Sequence, residues 1–420
     1  MTKIIVTLLL ISGWLLTGCA EETEDPAHTQ QVTIGAETLV SEHLDLIEHQ
    51  RVGIVTNHSA VVGDTHLIDV LDDLDIEITA LFGPEHGIRG EVGAGVPVED
   101  GIDQATGAPI YSLYGDTREP TPEMLEDVDV LIFDIQDIGA RFYTYISTMG
   151  YTMQGAAEKN ISYIVLDRPN PLGGEKTEGF MLEEEHKSFV GLYPIPVTHG
   201  MTVSELAVMI KEEQMLDGLE NLELHTMELE NWARDMLWPD TQLDWVEPSP
   251  NIPDFETALI YPGACYFEGT NISEGRGTYQ PFLKIGAPWA DNEEIADELN
   301  SREIPGIEFE PVTFTPESIE GMAETPKLEG EELQGIRYNV YDIETVEPMA
   351  SGIHVLEVFY QYAPEDEKDD FFSEERMYRL GGTDRLYNKL VEDWSAEEIV
   401  ESWTDENTEF QNLREAYLKY

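Results

Sequence analysis

Residues 128–145 read VDVLIFDIQDIGARFYTY, an apolar run that ends in acids, an arginine and aromatics. Val128–Phe133 has the length and near-continuous apolar character of a strand buried on both faces. Three further runs repeat the pattern, Val52–Val55, Ile78–Phe82 and Ile161–Leu166. Helical signals lie between them. Leu67, Val70, Leu71 and Leu74 follow the i, i+3, i+4, i+7 spacing, and Thr121-Pro122 is a cap and first-turn signature that predicts a helix over Met124 and Leu125. Thr202 and Glu205 form a capping box before an apolar face of Val203, Leu206, Ala207 and Ile210. Strand and helix alternate, which predicts an α/β fold with a Rossmann-like, mostly parallel sheet over residues 35–287.

After Pro288 the texture changes to acidic, proline-spaced segments with short β-like stretches at Ile336–Tyr341 and His354–Tyr360. This predicts a second, smaller α+β domain over residues 288–420. A closing helix, capped by Ser395 and Glu398, would bury Ile399, Trp403, Phe410, Leu413 and Tyr417.

The chain has 420 residues, with 85 Asp plus Glu against 23 Lys plus Arg and a formal net charge of -62. Nucleic-acid affinity rests on cationic groups that neutralise phosphates, so nucleic acid is excluded as a partner. Such an acidic excess is self-repelling unless salt screens it, which points to a salty or alkaline habitat. A hydrophobic fraction of 41 % leaves material for a real core.

Residues 1–19 place the protein. Lys3 precedes an apolar run from Ile4 to Leu16, and Leu16-Thr17-Gly18-Cys19 follows at once. This resembles a bacterial lipoprotein signal, in which Cys19 becomes the lipidated first residue of the mature chain. It implies an extracytoplasmic protein that meets the membrane only through the lipid at Cys19. Residues 20–34 read as a flexible acidic tether. Cys265 is the remaining thiol and reads as a small core residue.

In an open parallel sheet, ligands bind outside the carboxyl ends of the strands. The four expected tips are Thr56-Asn57-His58, Gly83–Gly90 (GPEHGIRG), Asp134–Tyr145 and Asp167–Pro171. In a chain with 13 Arg, Arg89, Arg141 and Arg168 all fall at such tips beside acids, an arrangement suited to gripping an anion. Glu85, in a tight Pro84 and Gly87 turn, is the first choice for a general acid. His86 would orient it or bind substrate. Asp134, Asp137 and Asp167 are candidates for the second carboxylate that glycoside hydrolysis usually needs. Further along, His199 precedes the capped helix, and Asn271–Thr278 (NISEGRGT) exposes Glu274 and Arg276 on a glycine-flexed loop, with Glu268 just before it. G-x-S-x-G, P-loop, H-E-x-x-H and CxxC patterns do not occur, so neither a cofactor nor a metal is expected.

Seven segments are together similar to the exo-β-N-acetylmuramidase family (NamZ type, glycoside hydrolase family 171). They are Gly83–Gly90, Asp137–Thr144, Asp167–Gly173, Val190–Thr202, Tyr261–Thr278, Pro281–Trp289 and Trp403–Tyr420. The resemblance implies a Rossmann-like catalytic part and a smaller C-terminal part with the site between them. It also implies release of N-acetylmuramic acid from the non-reducing ends of peptidoglycan fragments such as muropeptides. Carried onto this chain, it points to Glu85 as the catalytic acid, with Asp137 and Glu274 as further catalytic carboxylates. His86, Arg89, Arg141, Tyr143, Asp167, Arg168, Asn170, His199 and Arg276 would line the substrate site. A non-catalytic wall-sugar-binding lipoprotein is the alternative that the residues leave open.

Overall fold

The computed structural model describes residues 30–88, 100–115 and 117–420. Cys19 and Arg89 lie outside the described residues. The N-terminal sheet contains β1 (Arg51–Thr56), β2 (Glu77–Gly83), β3 (Gly101–Ile102), β4 (Pro109–Ser112), β5 (Val130–Asp134), β6 (Ser162–Leu166) and β7 (Leu224–Met227). Their order is β3-β4-β2-β1-β5-β6-β7, and every neighbouring pair is parallel except β3 with β4. Residues 130–134 of β5 are all buried, which explains why this strand reads as a continuous apolar run.

Helices α1 (Gly35–Glu42), α2 (Leu67–Asp73), α3 (Tyr145–Lys159) and α4 (Val203–Glu212) belong to this half. The expected capping box opens α4, with Thr202 and Glu205 reciprocally bonded. Thr121-Pro122 opens no helix. Residues there form turns through Met124 N–H to Thr121 O and Glu126 N–H to Glu123 O, because the segment runs into the strand partner of Arg51 before a helical turn can propagate. The chain leaves β1 towards β2 and returns on the other side as β5. A crevice therefore opens outside the carboxyl ends of β1 and β5.

The C-terminal half is built on an antiparallel sheet of β8 (Lys284–Ala287), β9 (Ile307–Phe314) and β10 (Leu333–Val340), in the order β8-β10-β9. Around it lie α5 (Phe255–Ala264), α6 (Asn292–Ser301), α7 (Pro348–Tyr362), α8 (Glu374–Gly381), α9 (Arg385–Val391), α10 (Ala396–Glu401) and α11 (Thr404–Arg414). The change of partner comes earlier than residue 288, since β8 and α5 already pack in this half. Helices α5 and α7 touch backbone to backbone, and a Cβ on Gly352 would lie 2.3 Å from Gly263 Cα. His354–Tyr360, expected as a strand, lies inside α7. That helix is buried on nearly all sides, so its apolar run carries no helical period, and Pro348 at its first turn is the signal of its type.

The expected closing helix is two helices. Ser395 and Glu398 cap α10, the chain turns at Ser402, and α11 follows. Leu413 stays 39 % exposed, while Arg414 turns inward to the carbonyls of His199, Gly200 and Glu175. One hydrophobic cluster runs through both halves, from Val55 to Phe410.

Candidate active site

Strand β2 ends at Gly83, and the turn Pro84–Gly87 is closed by Gly87 N–H to Pro84 O at 3.0 Å. His86 and Gly87 both have positive φ, 72° and 73°, so the backbone doubles back and leaves Glu85 at the tip. The loop after β5 brings Thr144 to the same place, and its hydroxyl donates to Glu85 Oε2 at 3.2 Å. Tyr145, the first residue of α3, donates to Pro248 O at 2.6 Å, which ties the segment carrying Ser249 and Asn251 across these tips. From the C-terminal half come Tyr261, Phe282 and Arg276. Together they enclose a cavity of about 70 Å³ into which Glu85 and Arg276 both project from opposite halves of the chain.

Arg276 is held from several sides. Its Nη2 is 2.5 Å from Glu268 Oε1, its Nε is 3.6 Å from Glu274 Oε1, and its guanidinium lies 5.1 Å from the centroid of the Phe282 ring. Lys327 Nζ is 2.8 Å from Glu274 Oε2. Burial opposes the charge on Arg276, but Glu268 and Glu274 outweigh it and raise its pKa. Tyr114 stands beside Glu85 and within the field of Glu268. Burial first, then the Glu85 charge, pushes its hydroxyl well above the usual tyrosine range. Tyr114 thus flanks Glu85 and Glu268 flanks Arg276, on either side of the cavity that Glu85 and Arg276 line.

Other expected site residues lie elsewhere. Asp137 is buried, accepts from Gly139 N–H at 2.8 Å, and faces His199 Nε2 at 3.8 Å. Burial raises Asp137 to about 7 and lowers His199 to about 3, so the imidazole is neutral while the Asp137 carboxyl gives up its proton only around neutrality. Arg141, expected to grip an anion, is 0 % exposed and gives its guanidinium to the carbonyls of Phe180, Ile195, Leu380 and Gly381. It therefore stitches α8 to the N-terminal half and does not reach the cavity.

Asp167 is likewise saturated, accepting from Thr202 and Ser204 hydroxyls and from the Tyr420 hydroxyl. Arg168 pairs with Asp134, Nε to Oδ1 at 2.5 Å and Nη2 to Oδ2 at 3.0 Å. Asn170 spends its amide on Met201 O and Leu172 N–H. Of the expected residues, the cavity gathers Glu85, His86, Tyr143 and Arg276, with Glu274 behind Arg276. Sequence reading missed Thr144, Tyr114, Ser249, Asn251 and Tyr261. Thr144 and Tyr145 continue the Arg141–Tyr143 string, and that adjacency was the available signal.

Comparison with known proteins agrees with this architecture. The profile described as exo-beta-N-acetylmuramidase NamZ, N-terminal, matches residues 52–256, and its C-terminal counterpart matches residues 259–420. The chain is 41 % identical over 421 residues to the peptidoglycan beta-N-acetylmuramidase NamZ of Bacillus subtilis (strain 168), covering 99 % of this chain and 98 % of that protein. Two crystal structures of DUF1343-family proteins from Bacteroides fragilis share the fold. One has a TM-score of 0.85 at 36 % identity and the other 0.76 at 32 %, each covering 93 % of this chain and 99 % of the other. With the two profiles together matching most of residues 52–420 and a relative aligned along almost the whole length, the chain belongs to the NamZ family of exo-β-N-acetylmuramidases.

Proposed function

We propose that the protein is an exo-acting glycoside hydrolase that releases N-acetylmuramic acid from the non-reducing end of peptidoglycan fragments, with Glu85 as general acid. The observation that carries this is the pairing of Glu85 and Arg276 across one cavity at the junction of the two halves. Glu85 would protonate the glycosidic oxygen. Thr144, donating to Oε2, and Tyr114, hydrogen-bonded to the same side chain, would hold the carboxyl for that transfer.

Arg276 supplies the cation for the lactyl carboxylate that distinguishes N-acetylmuramic acid from its unsubstituted counterpart. Glu268, bound to Arg276 and close to Tyr114, is the carboxylate best placed to act on the opposite face of the sugar, ahead of Asp137 and Glu274. Asp137 is enclosed with His199, and Glu274 is buried between two cations, Lys327 and Arg276, where Glu268 faces one. A chromogenic β-N-acetylmuramide tests the reading: release by the intact protein and none by Glu85→Gln supports it.

The resemblance of residues 1–19 to a lipoprotein signal supports a site of action outside the membrane, with the chain anchored through Cys19, where wall fragments are met. Incorporation of labelled fatty acid into the full chain but not into Cys19→Ala tests that placement.

A further inference from the structure

A second cavity, of about 330 Å³, opens at the crevice outside β1, β5 and β6, apart from the one that holds Glu85. Ser59, at the tip of β1, Gln136, at the tip of β5, and Arg168, at the tip of β6, all line it, as do Trp238, Leu243 and Val246. Segment 244–252 separates the cavities, anchored by Tyr145 to Pro248 O and by His58 to Glu247 O. The volume is near the low end of small-ligand pockets, roughly 300–1,000 Å³, and so suits one ring rather than an extended glycan.

Gln136 is 3 % exposed. Its amide nitrogen donates to Asp137 O at 2.7 Å and to Pro169 O at 2.8 Å, which fixes the amide orientation and leaves the buried Oε1 without a partner. Arg168 spends Nε and Nη2 on Asp134 and on Val61 O, and Nη1 has no hydrogen-bond partner among the described residues. The cavity thus presents one unmet acceptor and one unmet donor. Against them stand the Trp238 ring and the apolar side chains of Val61, Leu243 and Val246.

We propose that this cavity is a binding site for a single neutral N-acetylhexosamine. An acetamido group offers an N–H for Gln136 Oε1 and a carbonyl for Arg168 Nη1, while the ring's C–H face suits an indole. Charge decides which amino sugar. Glu37, Asp64 and Asp244 line this cavity against the single paired Arg168, whereas Glu85 is the one carboxylate among the described residues lining the cavity of Arg276, so here an anionic sugar is repelled and N-acetylglucosamine is favoured over N-acetylmuramic acid. The proposal rests on the muramidase reading only for the source of that sugar, the other half of the peptidoglycan repeat.

The test is titration of the folded protein with N-acetylglucosamine and with N-acetylmuramic acid, followed through the Trp238 indole resonance, in the parent and in Glu85→Gln. Binding is read without turnover, so a failed glycosidase reading leaves the test intact. Saturable shifts with N-acetylglucosamine in both proteins are expected, with weaker or no response to N-acetylmuramic acid. Val61→Phe fills the cavity and should weaken the binding by about tenfold or more. Asp64→Lys, at an exposed position that disturbs no packing, should bring N-acetylmuramic acid into the site. No response of Trp238 to either sugar, equal affinity for both in the parent, or unchanged selectivity in Asp64→Lys would overturn the proposal.

Discussion

Thr144 Oγ1 donates to Glu85 Oε2 at 3.2 Å, so the loop after β5 fixes the carboxyl offered by the loop after β2. The proposed general acid is thereby held by the parallel sheet itself, at the tips of two strands that flank β1. Thr144→Val keeps the shape and removes the donor. Turnover of a chromogenic muramide should fall by about tenfold, some 1.4 kcal/mol of transition-state stabilisation, with little change in KM. An unchanged kcat would show that Thr144 does not position Glu85.

Arg141 predicts a stability effect with no catalytic signature. Four main-chain carbonyls converge on its guanidinium, two from α8 and two from the N-terminal half. Arg141→Met leaves them buried without a donor and should cost about 3–5 kcal/mol or more. Denaturant melts should show the loss, while any protein that remains folded keeps its KM. A raised KM at unchanged stability would return Arg141 to the substrate site.

Buried carboxyls set a pH dependence. Burial raises Asp137 and Glu178 to about 7 and Asp167 to about 6, above the ordinary carboxylate range of about 4. A raised folded-state value means that the folded form holds the proton more tightly. The stability these groups allow is therefore full below about pH 4 and is lost as pH rises to about 7. Glu178 accepts from Met349 and Ala350 N–H at the start of α7, and Glu178→Gln can keep that role without ionising. Comparing Tm at pH 5 and pH 7.5 should show a smaller difference in Glu178→Gln than in the parent.

A net charge of -62 predicts that both stability and turnover rise from dilute buffer to molar salt. The substrate carries a carboxylate, so screening aids its approach as well as the fold. Equal turnover in the two conditions would contradict this.

The parallel strands were legible because residues buried on both faces leave contiguous apolar runs, and their tips located Glu85. The glycine-flexed loop at residues 271–278 likewise announced Glu274 and Arg276. Helix α7 was not legible as a helix at His354–Tyr360, since burial all round erases the 3.6-residue period. Arg141 was misplaced for a different reason. Its partners are carbonyls at residues 180, 195, 380 and 381, which bear no side-chain signature and lie up to 240 positions away. Glu268 was legible as an acid just before that loop, but its pairing with Arg276 and its place near Tyr114 were not, because no spacing along the chain links those residues.

The most direct measurement is release of chromophore from a β-N-acetylmuramide and from the matching β-N-acetylglucosaminide in high salt, by the parent and by Glu85→Gln. Release from the muramide alone is expected, with Glu85→Gln slower by about 10²–10⁴ at an unchanged Tm. Equal cleavage of both sugars, or full activity in Glu85→Gln, would contradict a muramidase that works through Glu85 and reads the lactyl carboxylate through Arg276.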